Sequence, residues 1–161
     1  MKQDRFLLGI LIFIGVLVLL ALGLFFLRNE TPEYGPENTP QGVVSNYVLA
    51  LERGDYERAY ASLAAGESKP SYTVFLSAFR SQQLGDPNTA LQVGETEMPT
   101  DSEAWVALTL VYPGSGPFDS GWSNTDHATL ILQESAWKIT YLPYPWWGWD
   151  WYTPTPEPVK P

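Results

Sequence analysis

Two patterns of apolar residues divide the chain. Phe6 to Leu27 is a run of 22 residues without a charge, an amide or a proline. A helix of that length reaches roughly 33 Å at about 1.5 Å per residue, which matches the hydrocarbon core of a bilayer. A soluble helix that long needs a polar face, and this run has none. From Gln41 onward the apolar positions become periodic instead. Val43, Val44, Tyr47, Val48 and Leu51 fall on one face of a helix that Gly54 ends. Asp55 caps a second helix carrying Tyr56, Ala59, Tyr60 and Leu63. After a loop over 66–70, Ser71 caps a third, with Tyr72, Phe75, Leu76 and Phe79 on one side and Gly85-Asp86-Pro87-Asn88 at its end.

Beyond Pro87 the period changes to two. Strands are predicted over Ala90 to Met98 and over Glu103 to Tyr112, where Val106, Leu108, Leu110 and Tyr112 share a face. Two more follow: Asp126 to Gln133, with Ala128, Leu130 and Leu132 in phase, and a last strand in which Trp137, Ile139 and Tyr141 alternate with Lys138 and Thr140. Helices followed by strands predict an α+β domain whose antiparallel sheet is covered by helices on one face. Tyr47, Leu51, Phe75, Phe79, Val106, Leu108, Leu130 and Ile139 are the expected core.

Composition sets the domain limits. Residues 1–5 form a short N-terminus, 6–27 a transmembrane signal anchor, and 28–40 a linker that reads NETPEYGPENTP from Asn29. The folded part is 41–152, and the proline-rich 153–161 reads as a disordered tail. Asn29-Glu30-Thr31 fits a glycosylation sequon beside the membrane. Ala21-Leu22-Gly23 resembles a signal-peptide cleavage site, but the apolar run continues past it, which favours an uncleaved anchor. Lys2 and Arg5 before the span, against Arg28 after it, place the N-terminus in the cytoplasm and the domain outside.

Charge and residue counts narrow the chemistry. Residues 29–161 hold 6 basic and 17 acidic side chains, a net charge of −11, which argues against a nucleic-acid partner. The chain has no cysteine, so disulfides, thiol catalysis and a lipidated cysteine are excluded. Its one histidine excludes a multi-histidine zinc site. There is no Walker loop, no GxSxG and no dinucleotide fingerprint, and no cofactor is expected.

The stretch from Val43 to Tyr60, VVSNYVLALERGDYERAY, resembles the first two helices of the nuclear-transport-factor-2-like (cystatin-like) superfamily, with its long helix, Gly-Asp-Tyr and Ala-Tyr. Ser135-Ala136-Trp137-Lys138-Ile139 is similar to the closing strand of such domains, so the resemblance covers about residues 41–142. It implies a cone in which a curved sheet wraps a long helix, often with a cavity at the wide end. The superfamily includes isomerases and dehydratases that use a carboxylate or a His–Asp pair inside the cone. It also includes anchored extracytoplasmic domains of unknown function, so the fold does not carry a function with it.

Two sets of residues are candidates for function. Asp126 shares strand parity with Ala128, and Tyr112 with Leu110. A hairpin around a 113–125 loop brings them together as a carboxylate–phenol pair for proton transfer in a cone cavity. Asp126 and His127, being adjacent on a strand, point to opposite faces and do not form a dyad. The second set is Trp147, Trp149 and Trp151. In an extended chain they line one face, either packing on the domain or offering a shelf to a glycan, a protein or the membrane. With self-packing, Trp149→Ala destabilises the domain. The Gly/Ser-rich loop with Asp119 and Asn124 matches no EF-hand spacing, so no metal is expected. The favoured reading is a bilayer-tethered, non-enzymatic interaction or envelope-associated domain; the alternative is a small-molecule-binding or proton-transfer cone using Asp126 and Tyr112.

Overall fold

The computed structural model describes residues 4–28, 32–116 and 119–152. The sequon at 29–31 and the tail at 153–161 lie outside the described residues. The chain divides into two compact units, Met1–Glu33 and Tyr34–Pro161. In the first, α1 (Asp4–Arg28) is a helix of 25 residues, and Phe6–Leu24 is long and apolar enough to cross a membrane.

The second unit is built as the periodicities predict. Helix α2 (Pro40–Glu52) starts with Pro40 in its first turn, where the missing N–H costs nothing, and the Thr39 side chain accepts from the Gly42 N–H. Asp55 caps α3 (Tyr56–Ala61) by accepting from the Arg58 N–H. Ser71 caps α4 (Tyr72–Arg80) by accepting from the Val74 N–H. Gly54 ends α2 at a φ of +72°, where a side chain is strained, whereas α4 stops at Arg80, five residues before the Gly85 expected to end it, with Gln82 in the left-handed region at a φ of 58°.

Four strands follow: β1 (Ala90–Thr100), β2 (Glu103–Tyr112), β3 (Trp122–Gln133) and β4 (Ala136–Tyr141). They form an antiparallel meander in the order β1-β2-β3-β4. Register shifts within β1–β2 and between Thr129 and Leu130 on β3 bend the sheet. Glu134 and Ser135, both with positive φ, make the two-residue turn into β4. The outer edge of β4 is covered by the chain leaving α3. Ile139 donates to the Ser62 carbonyl, Ala64 donates to the Ile139 carbonyl, and the Gln133 amide bonds both backbone groups of Ala65. Lys69 and Lys138 donate to the Tyr60, Leu63 and Ala61 carbonyls around the end of α3.

The core lies between the helices and the inner sheet face. Tyr47, Phe75, Phe79, Val106, Leu108, Leu130 and Ile139 are buried there, as expected. Leu51 is half-buried in the last turn of α2, and Leu132 is 40 % exposed near the end of β3, beyond the cover of the helices. The linker expected over 28–40 is shorter in the structure. From Tyr34 the chain packs on the domain: Gly35 and buried Asn46 exchange two hydrogen bonds, at 2.7 and 3.0 Å, and the Tyr34 ring lies against Arg53 and Arg58. A polar, proline-rich segment reads as a spacer because its partners are an amide and two guanidinium groups, which no apolar period reveals.

Candidate functional site

The expected carboxylate–phenol pair does not assemble. Strand β3 begins at Trp122, four residues earlier than the 113–125 loop allowed. Asp126 therefore stands opposite Leu108, while Tyr112 stands opposite Trp122. Four residues at about 3.3 Å each separate the two positions by roughly 13 Å along the strands. Tyr112 stacks on Trp122 instead, with ring centres 3.9 Å apart and planes 11° from parallel. Below them the hairpin loop is knitted by Asp119, whose carboxylate accepts from the N–H and hydroxyl of Ser115 and from the Gly121 N–H. These bonds hold the Asp119 carboxyl below its usual range, the Ser115 and Gly121 amides leading.

Asp126 makes different neighbours from those expected. Its carboxylate turns back along the strand to accept from the N–H of His127, at 2.8 Å. That turn brings it to 3.5 Å from His127 Nδ1, so the two side chains approach despite their opposite parity. The imidazole lies between Trp105 and Tyr141, with ring centres 5.7 and 6.0 Å away. Burial raises the Tyr141 phenol, and the Asp126 carboxylate facing it adds to the shift. Sequence reading missed Tyr141 because the bulge opposite Thr129 moves it off the face of Ile139. This cluster sits on the sheet surface, with the His127 side chain 52 % exposed.

The space inside the curved sheet is filled. Tyr47, Phe75 and Leu63 are fully buried between the helices and the strands, and the segment after β4 closes over them. The Tyr47 hydroxyl donates to the Trp146 carbonyl at 2.8 Å, and the Gly85 N–H donates to the Pro145 carbonyl at 2.8 Å. Trp151 packs on Phe75, Phe79 and Trp147, with ring centres 5.4, 6.2 and 5.3 Å away. Tyr152 stacks on Trp147, and its hydroxyl donates to the Ala64 carbonyl.

The three tryptophans do not share a face. A turn closed by the Trp151 N–H on the Gly148 carbonyl replaces the extended chain. Trp147 and Trp151 are 4 % and 6 % exposed, whereas Trp149 is 92 % exposed. The destabilisation expected of Trp149→Ala therefore moves to its neighbours. Between α4 and this segment runs an open groove of about 770 Å³, lined by Ser77, Gln83, Tyr141, Tyr144, Trp149 and Asp150 among others.

The buried phenols give the domain an alkaline limit. Desolvation raises Tyr47 well above its usual value, and it raises Tyr152 in the same direction. A phenol favoured in its neutral form supports the fold below its unfolded pKa near 10, and that support is lost as pH rises toward the folded value. We expect the melting temperature to show no tyrosine-linked fall below about pH 9 and to drop steeply above about pH 10. A Tyr47→Phe variant should show a shallower alkaline drop; an identical profile would contradict this assignment.

No family model and no curated protein sequence matches the chain. Among solved structures, an NTF-2 like protein of unknown function from Shewanella oneidensis MR-1 is similar over 61 % of this chain and 88 % of that one, with 15 % sequence identity and a TM-score of 0.41.

Proposed function

We propose that the chain is a single-pass membrane protein whose C-terminal domain, a non-enzymatic binding module of the nuclear-transport-factor-2-like kind, stands outside the cell. One observation carries the binding reading over the catalytic one. Trp151 packs on Phe75 and Phe79, Trp147 packs on Trp151, and Tyr152 stacks on Trp147, so aromatic side chains of the 146–152 segment join the core beside α4. A carboxylate shielded in a closed pocket is the arrangement that tunes proton transfer. Asp126 is instead half-buried, with its side chain 29 % exposed, beside half-exposed His127. The anchor reading rests on the uncharged run from Phe6 to Leu27, and the orientation on Lys2 and Arg5 before it.

Alkaline carbonate extraction of membranes tests the anchor. The full-length chain is expected in the pellet, and recovery of an intact soluble chain would overturn the reading. The Asp126–His127–Tyr141 cluster is the observation that favours proton transfer, and Asp126→Asn tests it. The variant should retain biological function with an unchanged melting temperature. Loss of function without loss of stability would favour the catalytic reading.

A further inference from the structure

We infer that the groove between α4 and the 141–151 segment binds an uncharged glycan chain, with Trp149 as its stacking platform. The inference rests on the extracytoplasmic reading above and adds a ligand class to it. Its starting point is the contrast within one short segment. Trp146, Trp147 and Trp151 are buried by the domain itself, at 5 %, 4 % and 6 % exposure, while Trp149 stands in solvent at 92 %. Tyr144 is 63 % exposed and lines the same groove. Two exposed aromatic rings on one groove are apolar surface that the fold does not use.

The rest of the lining selects the ligand. Ser77, Gln83, Tyr141 and Asp150 line the same groove; the Ser77 hydroxyl donates to the Val74 carbonyl and the Tyr141 phenol faces Asp126, so these two oxygens offer acceptor capacity, and Gln83 adds an amide. A pyranose matches both parts. Its C–H face is apolar and lies on the electron-rich face of an indole, while its rim of hydroxyls donates and accepts. No lysine, arginine or histidine lines the groove among the described residues, so it offers nothing to a phosphate, a sulfate or a uronic acid. The −11 net charge of residues 29–161 repels such anions further. The walls are α4 and the irregular segment after β4, with Tyr141 the one strand residue in the lining, and the outer edge of β4 at Ile139 is already bonded to Ser62 and Ala64, which disfavours β-augmentation by a peptide. The open form, at about 770 Å³, suits a chain passing through it rather than an enclosed small molecule.

The test uses the full chain in phosphatidylcholine nanodiscs, free of sugar-headed detergent. The probes are the β-1,4-linked glucose hexaose, its N-acetylglucosamine counterpart and the α-1,4-linked glucose hexaose, titrated against tryptophan emission and by calorimetry. At least one hexaose should bind saturably with a blue shift. Trp149→Ala should weaken that binding by at least about tenfold with an unchanged melting temperature, and Gln83→Ala should weaken it without altering the fold. Absence of binding by all three hexaoses at millimolar concentration would overturn the inference, as would binding that Trp149→Ala leaves intact. Saturable binding of a TPTPEPVKP peptide to the groove in place of sugar would also overturn it, since a proline-rich strand is the rival occupant of an aromatic groove. Each of these failures leaves the membrane and topology measurements standing, so the two readings fail separately.

Discussion

Trp151→Ala is expected to cost the domain about 3–5 kcal/mol, the range for deleting a large buried aromatic side chain. The Trp151 indole is 6 % exposed and touches Phe75, Phe79 and Trp147, so its removal leaves a void bounded by three rings. Those rings belong to α4 and to the same turn, and neither can close the gap without breaking its own packing. Gly148 makes the arrangement possible: a Cβ there would lie 2.5 Å from the indole nitrogen of Trp151. Trp149→Ala, two residues away, should change stability by less than about 0.5 kcal/mol, because its ring is in solvent. Denaturant melts of the two variants provide the comparison. Equal midpoints would show that the segment does not close over α4 as described.

Gly42→Ala should cost about 3 kcal/mol, the upper part of the range for overpacking. A Cβ at this position would lie 1.8 Å from the Pro36 carbonyl oxygen and 2.8 Å from Thr39 Oγ1. The first contact is with backbone, so the strap over residues 34–37 must move away from α2. That movement breaks the two hydrogen bonds between Gly35 and Asn46 and leaves the buried amide of Asn46 without them. The ring of Tyr34 also leaves its place against Arg53 and Arg58. A lowered melting temperature together with protease cleavage near Tyr34 is the expected pair of results. An unchanged melting temperature would mean that the strap is not seated on α2.

What sequence reading recovered and missed follows from range. The caps at Asp55 and Ser71 and the glycine stop at Gly54 act within four residues, so their chemistry was legible directly, whereas α4 ends at Ser81 and Gln82, which carry no glycine signal, before the expected Gly85. The inner face of β2 was legible because Val106, Leu108 and Leu110 alternate strictly along a regular strand. Register was not legible. Ser123, Asn124 and Thr125 carry no apolar alternation, yet they pair with Val111, Leu110 and Thr109, and that extension moves Asp126 away from Tyr112. The bulge opposite Thr129 likewise places Tyr141 beside Asp126, where strict alternation would have kept it with Ile139. The tryptophans failed for a related reason. Period two holds only in extended chain, whereas a turn at Gly148 brings positions 147 and 151 together and sends 149 out.

The chain has no cysteine, so one introduced thiol reports on topology without a background. Glu97 is exposed on β1, and Glu97→Cys should leave the fold intact. In intact cells, a membrane-impermeant maleimide should label this variant fully, and the labelled chain should then resist carbonate extraction. Labelling only after lysis, or a labelled chain released into the carbonate supernatant, would contradict a membrane-tethered domain that faces outward.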